Sequence, residues 1–92
     1  MMIMKLIGNE QLIEYLNSFN PDLFNEAWKE MRDRVDPGRD PDKTLRQIKG
    51  FRKNVLNHFV LGDSGFLFCI HCEEDSGYDS RTIVFPFAKG VL

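Results

Sequence analysis

The stretch DPDKTLRQIKGFRKNVLNHFVLG, residues 40–62, decides how the rest of the chain is organised. Asp40 and Pro41 are typical of a helix start, because a capping carboxylate precedes a proline whose missing N–H is not needed there. Gly62 is typical of a helix end. The apolar residues that recur on one side of a helical wheel are Leu45, Ile48, Phe51, Val55, Leu56 and Phe59. The pattern predicts one helix over residues 41–61.

A second reading of the same stretch ends the helix near Gly50. A glycine inside a helix costs about 1 kcal/mol relative to alanine. Val55, Phe59 and Val60 suit a strand as well as a helix. The alternative therefore makes residues 55–61 a strand, and we favour the continuous helix over it.

Two helices are predicted before this stretch. Residues 9–19 carry apolar side chains at helical spacing, namely Leu12, Ile13, Leu16 and Phe19. The triplet Asn20-Pro21-Asp22 has the same form as the start signal at residues 40–42 and predicts a helix over residues 21–35. Glu30 and Arg34 are four residues apart there, and we expect them to form an ion pair on the exposed side.

An antiparallel hairpin is predicted after the helices. Residues 66–73 and 81–87 alternate in the manner of strands and flank a polar loop. A two-stranded hairpin is marginal in water, so we expect a short third strand from residues 2–7. The predicted fold is an α+β arrangement of three helices packed on this hairpin, with residues 1–92 forming a single compact domain.

Charge is distributed unevenly along the chain. The formal net charge is −2, yet residues 41–62 carry five basic residues against Asp42. Residues 63–80 contain five acidic residues and no lysine or arginine. The sequence therefore predicts two patches of opposite sign, which matter more for recognition than the overall charge does.

The acidic patch lies in the predicted hairpin loop. We expect this acidic tip to contact basic groups of a partner, with the tyrosine as an aromatic anchor. Its candidate binding residues are Glu73, Glu74, Asp75, Tyr78 and Asp79. The carboxylate spacing differs from that of a calcium-binding EF-hand loop, so we predict no metal there.

The basic patch lies along the predicted helix 41–61. Arginine, glutamine, lysine and asparagine are the residue types that contact phosphates, base edges or acidic proteins. The candidates are Arg46, Gln47, Lys49, Lys53, Asn54 and Asn57. Three helices followed by a hairpin also resemble a winged-helix layout, although an acidic wing and a negative net charge oppose nucleic-acid binding.

No motif in the chain indicates catalysis or a cofactor. Gly62-Asp63-Ser64-Gly65 resembles the nucleophile segment of trypsin-like serine proteases over four residues only, and we interpret it as a turn. Cys69, Cys72, His58 and His71 could form a zinc set, but an extended strand would send the two sulfurs to opposite faces. We expect reduced thiols, no metal and no cofactor.

Two further expectations concern location and a third class of function. No segment approaches the ~20 apolar residues of a membrane span, and no secretory signal is visible, so we expect a cytoplasmic protein with no membrane contact. If residues 54–61 were a strand, the element order would resemble the small RNase toxins of the RelE/ParE type, which implies ribosome-dependent RNA cleavage.

The leading prediction is a small non-enzymatic protein that binds another macromolecule. A protein partner is favoured, in the role of an inhibitor, immunity factor or adaptor of the kind that phages and plasmids encode. The alternative is a nucleic-acid-binding regulator that uses the basic helix face. The apolar content of both chain ends and of the hairpin slightly favours a homodimer.

Overall fold

The computed structural model describes residues 4–54, 56–74 and 77–89. The elements, in chain order, are a 3₁₀ turn at Met4–Leu6, α1 at Asn9–Leu16, α2 at Pro21–Arg34, a second 3₁₀ turn at Pro37–Arg39, α3 at Pro41–Asn54, β1 at Leu56–Leu61, β2 at Gly65–Glu74 and β3 at Gly77–Pro86. The strands form an antiparallel sheet in the order β1-β2-β3. The predicted α+β fold is confirmed.

The prediction that the third helix reaches residue 61 is wrong. The helix continues past Gly50 but ends at Asn54, and Leu56–Leu61 forms β1. The alternative reading was therefore correct about a strand here, but not about a helix end near Gly50. Every residue of β1 is paired with β2, from Leu56 opposite His71 to Leu61 opposite Phe66. This non-local pairing selects the strand, because the apolar run itself suits both states.

The predicted hairpin is confirmed, with longer strands than the sequence indicated. The ladder between β2 and β3 runs from Gly65 opposite Pro86 to Glu74 opposite Gly77. The predicted strand at residues 2–7 is not the third strand of the sheet. Met4–Leu6 is a 3₁₀ turn, and residues 2 and 3 lie outside the described part of the chain.

The order of elements differs from the one that prompted the comparison with RNase toxins. That comparison needs a strand, two helices and then three strands. The described chain has three α-helices before its three strands.

The helices pack on one face of the sheet. Rings from both layers meet there: Trp28 of α2 packs edge-on against Phe85 of β3 at 5.6 Å between centroids, and Phe59 of β1 contacts Phe68 of β2 at 4.7 Å. Burying such a side chain contributes about 1.5–3 kcal/mol. The apolar residues that are less than 3% exposed are Leu12, Leu16, Ala27, Trp28, Met31, Val35, Ile48, Phe59, Phe66, Phe68, Ile70 and Phe85.

Two expectations about side chains near α1 and α2 are wrong. Helix α1 ends at Leu16, and Phe19 is 95% exposed rather than part of a buried stripe. The ion pair between Glu30 and Arg34, at 2.9 Å, is largely buried rather than on the exposed side. The Arg34 guanidinium also donates to the Met4 carbonyl at 3.0 Å and so holds the N-terminal turn against α2.

The start signal at Asn20 is confirmed by the geometry of α2. The Asn20 side-chain oxygen accepts hydrogen bonds from the N–H groups of Asp22 and Leu23, at 2.9 and 3.3 Å. These bonds satisfy two of the main-chain donors that a helix start leaves unpaired. Because Asn20 is extended and outside the helix, the chain between α1 and α2 must turn at residues 17–20.

Candidate partner-binding surface

The predicted basic face is present on α3, with one correction. Its exposed members are Arg46, Gln47, Lys49 and Lys53. Asn54 is the last residue of α3. The placement of Asn57 on the helix face is wrong, because this residue lies on β1 and is half-buried. Its side-chain N–H donates to the Phe51 carbonyl at 3.3 Å, which links the end of α3 to β1.

Arg52 differs from the other basic residues of α3, because its side chain packs against the rest of the protein. Its guanidinium donates to the carbonyls of Leu16 and Ser18, at 2.5 and 2.7 Å. The same group lies 4.7 Å above the centre of the Phe24 ring. Burial lowers the pKa of Arg52 from its usual value, but a guanidinium stays charged at neutral pH. We therefore assign Arg52 to holding the end of α1 rather than to binding.

The residue between those two carbonyls, Asn17, fixes the outer edge of β1. Its side-chain N–H donates to the Phe59 carbonyl at 2.9 Å, and its side-chain oxygen accepts from the Phe59 N–H at 2.6 Å. The amide thus replaces a neighbouring strand at this position. Arg52 and Asn17 together hold the turn after α1 against the end of α3 and the edge of β1.

This arrangement brings an exposed aromatic ring beside two exposed lysines of α3. Phe19, Lys49 and Lys53 line a groove of about 330 Å³. A second groove, of about 620 Å³, shares Phe19 and Lys53 and is also lined by Leu56 and His58. We call Phe19, Lys49, Lys53 and Leu56 the α3 corner. Within it, Phe19 is 95% and Leu56 72% exposed, so the corner presents two apolar side chains to solvent around one pair of grooves.

Sequence reasoning missed both apolar members of the α3 corner. Phe19 and Leu56 continue helical patterns, so apolar periodicity predicts that both are buried. A signal for Phe19 was present, since the helix start at Asn20 requires the preceding helix to have ended. For Leu56, the deciding fact is that residues 56–61 form a strand, which places Leu56 on the sheet face opposite the core residue Phe59.

The backbone places the predicted acidic tip at the far end of the hairpin. Glu73 and Glu74 end β2, while Tyr78 and Asp79 lie near the start of β3. Glu73 is opposite Tyr78 in the ladder. Asp75 lies outside the described residues. Because β1 pairs only with residues 66–71 of β2, the tip extends beyond the three-stranded part of the sheet.

The sheet face away from the helices carries the two histidines. The rings of His58 and His71 are stacked, with centroids 5.2 Å apart, and Cys69 lies opposite His58 in the ladder. Within the described ranges, no group of three or more histidine, cysteine, aspartate or glutamate side chains could hold a metal ion. The helices of the same ranges include none that is long and apolar enough to cross a membrane.

Comparisons with protein-family models, with curated protein sequences and with solved structures find no match to this chain. Any proposal about function therefore depends on the geometry and chemistry of the α3 corner and the acidic tip.

Proposed function

We propose that the protein is a non-enzymatic binding protein whose α3 corner docks an acidic surface of a protein partner. An inhibitor, immunity factor or adaptor would work in this way. The observation that carries the proposal is the exposure of Phe19 and Leu56 beside Lys49 and Lys53. Aromatic and aliphatic anchors within a charged rim are typical of protein–protein contacts.

The number of cations in the two grooves of the α3 corner favours a protein over nucleic acid as the occupant of those grooves. Arg52 is engaged by two main-chain carbonyls, so Lys49 and Lys53 are the cations that remain in the grooves. Each neutralised phosphate contributes about one unit to the salt dependence of nucleic-acid binding, and specific binders use about 6–10. Two lysines suit an acidic protein patch, where apolar anchors supply affinity and charge sets orientation.

The test compares variants of the α3 corner in a pull-down from lysate of the native host. Phe19→Ser should reduce recovery of the retained protein about tenfold or more, as expected for an aromatic anchor. Lys53→Glu should also reduce it, mainly by slowing association. The matched control is Leu6→Ser, because Leu6 is 82% exposed and outside the corner. Equal recovery with wild type, Phe19→Ser and Lys53→Glu would exclude the α3 corner as the binding site.

The acidic tip is a second proposed contact, and its own test is charge reversal. Glu73→Lys combined with Glu74→Lys should release a partner that the acidic tip helps to hold. A partner that is bound only through the α3 corner should stay bound. The two sets of variants therefore separate the two surfaces.

A nucleic-acid-binding regulator remains the second candidate, because Phe19 beside two lysines could stack on an unpaired base. Fluorescence anisotropy with a labelled single-stranded oligonucleotide tests it. Binding that weakens steeply with salt and is lost in both Phe19→Ser and Lys53→Glu would favour this candidate over a protein partner.

A further inference from the structure

The two grooves of the α3 corner adjoin each other and differ in chemistry. They share one wall, formed by Phe19, Arg52 and Lys53. The groove of about 330 Å³ also contains the rings of Pro21 and Phe24, and we call it the apolar groove. We call the groove of about 620 Å³ the polar groove, and the residues that line it alone are Asn17, Leu56, Asn57 and His58.

The positive charge of these grooves has no acidic counterpart in the part of the chain that the structure describes. The described residues that line them include Lys49, Arg52 and Lys53 but no aspartate or glutamate. The groove beside the N-terminal turn is different, because its Arg34 is paired with Glu30 at 2.9 Å. Charge complementarity therefore favours an acidic occupant for the α3 corner.

Arg52 adds to this positive charge without leaving its structural contacts. The two groups that accept its hydrogen bonds are main-chain carbonyls, which carry no net charge and do not neutralise the guanidinium. Arg52 is half-buried at the boundary between the grooves, where water screens its charge less than that of an exposed lysine. An acidic group held by Lys53 would therefore also be attracted by Arg52.

The shape of the surface favours a linear segment over a flat face of a folded protein. A groove accepts a single side chain, and here two grooves meet at the Phe19 ring. Residues of an extended segment repeat about every 3.3 Å, so side chains close together in one segment can enter adjoining grooves.

We propose that the α3 corner binds a linear segment of its partner in which an acidic side chain lies close to a large apolar one. This proposal rests on the proposed function, since it concerns the same surface and the same partner. The apolar side chain packs in the apolar groove, against Phe19 and Pro21, where it is removed from water. The acidic side chain lies in the polar groove, beside Lys53 and His58.

A random library of linear peptides displayed on phage tests the proposal, with wild type, Phe19→Ser and Leu6→Ser as immobilised targets. Wild type and the control Leu6→Ser should enrich peptides that carry aspartate or glutamate within two positions of a large apolar residue. Phe19→Ser should lose this enrichment, because Phe19 belongs to the wall that both grooves share. Circular dichroism of each variant establishes that it is folded.

Fluorescence anisotropy with one enriched peptide then distinguishes the two grooves. Lys53→Glu should weaken binding about tenfold or more, because it places like charges together. Lys49→Glu is the matched comparison and should weaken binding less, since Lys49 lines only the apolar groove. Replacing the acidic residue of the peptide by lysine should abolish binding to wild type and restore binding to Lys53→Glu.

Enriched peptides that lack an acidic residue, or equal enrichment by Phe19→Ser, would overturn the proposal. Equal weakening by Lys49→Glu and Lys53→Glu would overturn the assignment of the acidic side chain to the polar groove. If no peptide is enriched while partner recovery in the pull-down still depends on Phe19, the occupant is a folded surface, and only the linear segment is excluded. If partner recovery depends on neither Phe19 nor Lys53, the proposed function itself fails.

Discussion

The two ends of α3 are attached to the rest of the protein by different kinds of contact. At the N-terminal end, the Asp42 carboxylate accepts from the Trp28 indole N–H at 3.1 Å and from Arg32 at 3.0 Å, and both ionic side chains are nearly half exposed. At the C-terminal end, the partly buried Arg52 donates to two main-chain carbonyls. The second end should contribute more to stability, because water screens the first.

The same contrast separates the residues of α3 that stabilise the fold from the residues that are available to bind a partner. Arg52 holds the turn that carries both Asn17 and Phe19 through two main-chain hydrogen bonds, so it determines the shape of the α3 corner and also lines both of its grooves. Lys49 and Lys53 are exposed, and neither forms a comparable hydrogen bond or ion pair with residues 4–54, 56–74 or 77–89. Substitutions at the two ends and on the exposed face should therefore separate folding from recognition.

The largest expected effect is from Arg52→Ala. Loss of two charge-assisted hydrogen bonds and of the contact with Phe24 should lower the free energy of unfolding by about 2–4 kcal/mol, measured by urea denaturation. Arg52→Lys should recover only part of this loss, because an ammonium lacks the forked donor geometry. Arg46→Ala, on the exposed face, is the control. A loss below about 0.5 kcal/mol in Arg52→Ala would mean that the C-terminal end of α3 is not anchored through this group.

A smaller loss, of about 1–3 kcal/mol, is expected from Asn17→Ala, because the Phe59 N–H and C=O lose their partner. Since Arg52 positions the segment that carries Asn17, the two losses should not add. A double-mutant cycle measures this coupling, which should be at least about 0.5 kcal/mol. Additive losses would show that the two residues act separately.

Asp42→Asn should lower the free energy of unfolding by only about 0.5–1 kcal/mol at neutral pH, because the pair with Arg32 is exposed. The hydrogen bond from Trp28, followed by the interaction with Arg32, lowers the pKa of Asp42. Its folded-state pKa therefore lies below its unfolded value of about 3.9.

The sign of the pH dependence at Asp42 follows from this lowered pKa. The contribution of Asp42 is fully present above the unfolded pKa and is lost as pH falls through the folded pKa. The difference between wild type and Asp42→Asn should therefore shrink below about pH 4 in urea titrations. A difference that grows on acidification would contradict this assignment.

The smallest effect on stability should come from Lys53→Ala, within about 0.5 kcal/mol of wild type by urea denaturation. Lys49→Ala should behave in the same way. Either substitution should nevertheless weaken partner recovery in the pull-down described above. Unchanged recovery together with unchanged stability would leave the exposed face of α3 without a role in binding.

Much of the helical part of this fold could be predicted from local sequence. Asn20-Pro21-Asp22 predicts the start of α2, and Pro41 marks the first residue of α3. Capping and helical periodicity involve residues only three or four positions apart, so a single sequence contains the whole signal. The exposure of Arg46 and Lys53 is predicted in the same way, because helical spacing places them opposite the stripe that contains the buried Ile48, while Lys49 flanks that stripe and is also exposed.

The predictions were wrong where the burial of a side chain or the end of a helix depends on residues far away in the sequence. Arg34 pairs with Glu30 in the predicted way, yet the pair is buried because the N-terminal turn covers it and accepts the hydrogen bonds that burial requires. The two candidate anchors, Phe19 and Leu56, depend on where α1 and α3 end. Apolar periodicity alone does not reveal where α1 and α3 end, because Phe19 and Leu56 each continue the apolar pattern of the preceding helix.

By itself, the sequence determined the helix starts, the hairpin and the separation of basic from acidic segments, since each depends on neighbouring residues and their chemistry. Only the tertiary structure decided that Leu56–Leu61 is a strand, that Arg52 faces inward and that Phe19 faces solvent. The reason is that an apolar run such as residues 55–61 satisfies two periodicities equally well. Pairing with β2 and the Asn17 amide, contributed by residues far away in the chain, then selects one of them.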